Sequence, residues 1–256
     1  MQGTDRGRYS CCTRNGNWFE ESVLEDEKMR EFLEKKERGE LTIQKIHQNI
    51  TPIQMAGEAS PDGKLRFGQK IRIINSELNC YLACDPGDAE IEEEHLYSAT
   101  GSLQEAPTSR NVWVFRKYEE NSFVDIPTDD DDPSVIHYGD KFYLETSEEI
   151  GGHKYYIGSR VSDWTHFSRA SHKQLVFSTP DESFACVWTL KSLGREDMDM
   201  EGEPYTMKTP ILLQNCQTNV SLSANDAHVF NDYGNEYELI GGRLSGRKTI
   251  WTIIDH

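Results

Sequence analysis

No apolar run in this sequence reaches the length of a signal-peptide core or of a membrane span. The expectation is a chain that neither enters a membrane nor is exported. Its six scattered cysteines (Cys11, Cys12, Cys80, Cys84, Cys186 and Cys216) then read as reduced thiols in a cytosolic setting, not as a disulfide framework. Cations are scarce as well. Lys and Arg number 27 against 44 Asp and Glu, a formal net charge of −17. A field of that sign repels phosphate, which argues against a nucleic-acid or anionic-membrane partner. Catalytic signatures are missing too: there is no Gly-x-Ser-x-Gly, no His-Glu-x-x-His and no Gly-rich phosphate loop. Cys80 and Cys84 lie four apart with no second Cys/His hook, so zinc is not expected. The run Asp129–Asp132 lacks the alternating oxygens and the Gly bend of a calcium loop, and reads as a solvated loop. The expectation is therefore no enzyme, no cofactor and no metal.

What is present begins with a small basic segment. In residues 1–17, Arg6, Arg8 and Arg14 face Asp5 alone, and few aliphatic residues are there to build a core. Trp18 and Phe19 follow. Ser22 with Glu25 resembles a capping box, and Met29, Phe32 and Leu33 then fall at i, i+3 and i+4. Gly39 follows Lys35, Lys36 and Arg38, as at a helix C-terminus. The reading is an extended basic arm over 1–21, one helix over 22–39 and a linker over 40–64. The helix's narrow apolar stripe suits a helix laid on a surface. Arg6, Arg8, Arg14, Trp18, Phe19, Met29 and Phe32 are the candidate partner-binding residues, the arginines for carboxylates and the aromatics as anchors.

From residue 65 the pattern changes to short apolar runs between turn residues, and it repeats. Phe67-Gly68-Gln69-Lys70, Tyr138-Gly139-Asp140-Lys141 and Tyr205-Thr206-Met207-Lys208 each place an aromatic three residues before a lysine. Tyr81-Leu82-Ala83, Tyr156-Ile157-Gly158 and Ser221-Leu222-Ser223 form a second run. Trp113, Trp188 and Trp251 open the last one. The intervals from opening aromatic to Trp are 46, 50 and 46 residues. Three such units, about 65–118, 136–192 and 203–256, predict a mainly β chain whose 65–256 domain is a three-repeat, β-trefoil-like barrel. One unit cannot bury its apolar face alone; three closed on each other can. Acidic insertions at Asp88–Glu94, Asp129–Asp132 and Glu196–Glu203 are expected between the units. A trefoil can also bind ligands in repeated clefts, so an alternative is a cytosolic carbohydrate- or phosphate-ligand module, with Tyr81, Tyr156 and Trp164 as stacking platforms.

Several blocks resemble a known family. Asn15 to Glu21, Met29 to Lys36, Gly39-Glu40-Leu41, Val176 to Phe184 with Cys186 and Trp188, Glu201 to Pro204 and Asn215 to Asn219 are similar to the cilia- and flagella-associated protein 161 family. Gln69 and Gln217 depart from that family's pattern, at surface or turn positions. The resemblance implies a non-enzymatic microtubule inner protein in the A-tubule lumen of axonemal doublets. Its implied partners are α/β-tubulin and neighbouring inner proteins. It implies no catalytic residue.

Overall fold

The computed structural model describes residues 11–55, 62–91, 94–119, 132–163, 166–193, 200–242 and 246–255, with side chains from residue 18 onward. The chain divides into two compact units, Met1–Gln48 and Asn49–His256.

The first unit is helical. Helix α1 runs Cys11–Arg38 and helix α2 runs Thr42–Ile50. The extended arm over 1–21 is thereby corrected: from Cys11 the backbone is already helical, while residues 1–10 lie outside the described set. Nothing between Cys11 and Glu21 forbids it. There is no proline, and Gly16 costs a helix only about 1 kcal/mol. Ser22 and Glu25 sit at i and i+3, a spacing as natural inside a helix as at its start. The C-terminal stop is where the sequence indicated. Gly39 has φ 73°, its N–H donates to Lys36 O at 3.3 Å, and Glu40 N–H donates to Lys35 O at 2.8 Å, the paired bonds of a Schellman ending. A second helix replaces part of the expected linker. Ile43, Ile46 and Ile50 fall at i, i+3 and i+7 along it, and Gln44 Nε2 donates to Lys36 O at 3.2 Å.

Among its described residues the second unit has twelve strands: β1 (Lys70–Asn75), β2 (Cys80–Ile91), β3 (Leu96–Ser102), β4 (Trp113–Lys117), β5 (Lys141–Thr146), β6 (Tyr156–Arg160), β7 (Gln174–Thr179), β8 (Val187–Lys191), β9 (Pro210–Asn215), β10 (Ser221–Asn231), β11 (Gly234–Gly242) and β12 (Trp251–Ile254). The first and last strands of each repeat pair with each other: β1–β4, β5–β8 and β9–β12. Each repeat joins the next through β4–β5, β8–β9 and β12–β1. Those pairings close a six-stranded barrel. The middle strands form hairpins β2–β3, β6–β7 and β10–β11, which meet one another through β3–β7, β7–β11 and β11–β3. A closed barrel capped by three mutually paired hairpins is a β-trefoil. A third ring surrounds the same axis: Leu65 N–H donates to Tyr205 O at 3.1 Å, Tyr205 N–H to Ile136 O at 2.8 Å, and Ile136 N–H to Leu65 O at 2.9 Å.

Three tryptophans hold the repeats to their hairpins. Trp113, Trp188 and Trp251 are fully buried. Their Nε1–H groups donate to Leu82 O at 2.8 Å, Ile157 O at 2.7 Å and Leu222 O at 2.9 Å. Each indole buries its ring in the shared core and satisfies its one polar group on the second strand of its own repeat. The same three acceptor positions are the middle residues of the second runs of the sequence pattern.

The opening motif of the third repeat needs correction. Gly68, Gly139 and Lys208 are equivalent, donating to Phe115 O, Leu190 O and Ile253 O, and each stands two residues before its strand. Met207, not Tyr205, therefore occupies the place of Phe67 and Tyr138. Tyr205 belongs with Leu65 and Ile136, fully buried, and stacks edge-on against Tyr138 at 5.7 Å. The first acidic insertion is also relocated. Asp88 to Ile91 end strand β2, inside the first hairpin and not between units. Asp129–Asp131 and Glu196–Asp199 lie outside the described residues.

Candidate functional site

Helix α1 carries most of the candidate binding residues, and their placement follows from its composition. Trp18, Phe19, Met29 and Phe32 are 72%, 67%, 59% and 48% exposed. Val23, Leu24 and Leu33 are exposed too, and from Trp18 to Arg38 only Ser22 is even half-buried. Arg14 lies in the helix with its side chain outside the described set, and Arg6 and Arg8 lie outside it altogether. A helix of 28 residues is about 42 Å long. Helices gain most of their stability by packing an apolar face, and this one leaves its large side chains in water. Its local supports are modest: the Schellman ending, a basic last turn of Lys35, Lys36 and Arg38, and an exposed Arg38–Glu34 pair at 3.1 Å.

In the β unit, a buried polar cluster joins the first repeat to the third. Arg110 and Glu236 are both almost fully buried and meet fork to fork, with Nη2–Oε2 at 3.0 Å and Nη1–Oε1 at 3.3 Å. Arg110 Nε donates to Cys84 O at 2.8 Å, and its guanidinium lies 3.3 Å from the Tyr233 ring centroid. Glu236 also accepts from Thr100 Oγ1 at 2.7 Å and Asn231 Nδ2 at 2.8 Å. Burial alone would raise the Glu236 carboxyl; the opposing pull of Arg110, with hydrogen bonds from Ser102 and Thr100, holds it down at about 2. Asp85 sits close by with 1% exposure. Its Oδ1 accepts from Gly87 N–H at 3.1 Å, while its Oδ2 has no hydrogen-bond partner among the described residues. Burial pushes its carboxyl up to about 6, against the lowering pull of Arg110. Sequence reading missed this cluster, because Arg110 and Glu236 are 126 residues apart.

A second set of charges ties the hairpins together. Arg169 Nε meets Glu90 at 2.8 Å and its Nη1 meets Asp88 at 2.7 Å, while Nη2 donates to Ala89 O at 2.7 Å. Glu238 accepts from Ala170 and Ser171 N–H and from Asn225. His166 holds carboxylates at both ring nitrogens, Asp163 at 2.8 Å and Glu94 at 3.2 Å, so neither nitrogen faces a nucleophile. Among the described residues no group of three His, Cys, Asp or Glu is disposed to hold a metal ion. Open clefts occur among the described residues. One of about 480 Å³ is lined by Val161, Lys173, Gln174, Ile240 and Thr249; one of about 420 Å³ by Leu96, Arg160, Phe177, Asp181 and Phe184. Neither contains the expected stacking platforms. Tyr81 lies under Arg72 at 3.8 Å and Tyr156 packs on Tyr143 at 5.7 Å, while Trp164 falls outside the described residues.

No family model matches the chain. Solved structures share its fold. An SDF2-like protein from Arabidopsis thaliana superposes with a TM-score of 0.57 at 16% identity, over 75% of this chain and 94% of that one. A Caenorhabditis elegans protein of unknown function gives 0.56 at 14%, over 76% and 98%. Sequence relatives are more specific. The cilia- and flagella-associated protein 161 of Danio rerio is 28% identical over 90% of this chain and 80% of its own length. The proteins of the same name from Bos taurus and Mus musculus are 26% and 27% identical, over 96% and 91% of this chain and 82% and 81% of theirs. Three such relatives, each aligned over 90% or more of this chain, support its membership of the cilia- and flagella-associated protein 161 family.

Proposed function

We propose that this chain is a non-enzymatic structural protein of the cilium or flagellum: a microtubule inner protein that binds tubulin and neighbouring inner proteins in the A-tubule lumen of axonemal doublets, stabilising them and supporting motility. The names of its relatives support the ciliary part of this reading. The observation that carries the structural part is helix α1, whose large apolar side chains are uncovered along its described length. Such a helix reaches full stability on a partner's surface. Tubulin is acidic, as is this chain at −17, so docking rests on local contacts while repulsion between distant charges is screened beyond about 8 Å. Trp18, Phe19, Met29 and Phe32 supply the anchors, each worth about 1.5–3 kcal/mol when fully buried. Arg6, Arg8 and Arg14 supply forks for carboxylates. The trefoil acts as a rigid body carrying further modest contacts, and enclosure in a lumen makes several weak contacts sufficient.

The test is retention in salt-washed axonemes of the chain with Trp18, Phe19, Met29 and Phe32 all changed to alanine. The expected result is loss of retention with an unchanged unfolding midpoint of the trefoil. Retention equal to that of the unchanged chain would refute the assignment of α1 as the grip.

A further inference from the structure

The third hairpin, like the first, runs on past a register irregularity. Strands β10 and β11 continue past an irregularity between Ala224 and His228 as a two-stranded ribbon, pairing His228–Asn231 with Tyr237–Gly234. Strand β10 meets β9 only at Ser221↔Gln214. Among the described residues, Asn225–Asn231 therefore has β11 on one side and no strand on the other. Asp226, His228 and Phe230 are each exposed along it, and His228 and Phe230, beyond the irregularity, share one face. Phe230 is 84% exposed, the most exposed large apolar side chain among the described residues. Beside it, the His228 ring lies 4.6 Å from Tyr237.

The ribbon is braced from its other face. Glu236 is locked to Arg110, Asn231 to Glu236, and Tyr233 lies under the Arg110 guanidinium with its hydroxyl accepting from Asn49 Nδ2 at 2.8 Å. Phe230 is thus held out in water by a buried ion pair, and its exposure is not that of a loose loop. Sheet edges of this kind are normally blunted by lysine, proline or a cover. Asn225–Asn231 contains no lysine, arginine or proline.

We propose that the outer edge of β10 is a docking site for an extended basic segment of a partner protein. That segment adds as a further strand and lays one apolar side chain against Phe230. Charge selects the occupant. Asp232 stands exposed near one end of this edge, while Asp226 near the other is already paired with Lys248 Nζ, on a chain of net charge −17. A second copy would bring like charge against like, whereas lysines or arginines alternating with apolar residues would meet both features. The site does not involve α1, and it stands or falls independently of the axonemal reading.

The experiment uses the full chain and a labelled eight-residue peptide of alternating lysine and valine, with an arginine–leucine version as second probe. Expected are saturable binding and slowed amide exchange at residues 227–231. Phe230→Ala, which removes no buried contact, should weaken binding at least about tenfold with an unchanged unfolding midpoint. Methylating alternate peptide nitrogens on the pairing edge should abolish binding, and methylating those on the opposite edge should not. Equal binding of both methylated probes, indifference to Phe230→Ala, failure of both parent probes to bind, or a Phe230-dependent dimer of the chain itself would each overturn the proposal.

Discussion

Changing Glu236 to Gln leaves the shape of the Arg110 site nearly intact and removes its compensating charge. Arg110 is 1% exposed and its fork is otherwise served by Cys84 O and the Tyr233 ring. An uncompensated buried cation costs about 3–5 kcal/mol. Against a typical domain stability of about 5–15 kcal/mol, that is a large share. Removing both charges is another matter. Arg110→Met with Glu236→Leu forfeits the pair but also its desolvation, and the double variant is expected to lose less than the sum of its singles by about 2 kcal/mol or more. Urea unfolding followed by fluorescence of the buried tryptophans, near neutral pH, measures all four corners of the cycle. Singles each within about 1 kcal/mol of the parent, or additivity within about 0.5 kcal/mol, would refute the claim that this pair fastens the third hairpin to the first repeat. The pH dependence supplies an internal check. The folded Glu236 carboxyl is held at about 2, below its unfolded value of about 4.3, so the stability it contributes is present above the unfolded value and is lost as pH falls through about 2.

Asp85 has the opposite sign: its folded carboxyl, at about 6, lies above the unfolded value of about 3.9, so stability falls as pH rises through that window. Asp85→Asn keeps the Gly87 contact and is expected to stabilise the chain by about 1–3 kcal/mol at pH 8 and by little at pH 4; equal effects at both pH values in urea unfolding would contradict the burial argument. Lys208 holds φ 67° at the position where the other repeats have Gly68 and Gly139, and its Nζ lies a long 3.7 Å from Asp255 with the lysine itself exposed, a weak pair. Lys208→Gly should therefore raise the thermal midpoint, by up to about 1 kcal/mol of stability, and a lowered midpoint in calorimetry would refute strain at that turn.

The threefold repeat was legible in the sequence because each unit must supply the core with the same kind of side chain. Trp113, Trp188 and Trp251, with Leu82, Ile157 and Leu222 before them, mark equivalent positions that the barrel then superposes. The surface character of α1 was legible as well, since Met29, Phe32 and Leu33 make an apolar stripe too narrow for a helix buried on several sides. The helix's true start was not, because residues 11–21 carry neither a breaker nor an unambiguous cap. Nor was the third repeat's register. Side-chain identity matched Tyr205 to Phe67, but backbone hydrogen bonds decide the register: they put Tyr205 in the ring with Leu65 and Ile136 and leave Met207 in the place of Phe67.

Local pattern also carries no information about which distant groups share a low-dielectric site. Only the closing of the barrel brings Arg110 to Glu236, leaves Asp85 beside them, and sets Phe230 on a braced edge in water. The sequence by itself determined the repeats, the core and the charge of this protein, for these follow from periodicity and composition. Tertiary structure alone decided its buried ion pair and its open edge, for these depend on contacts between residues far apart in the chain.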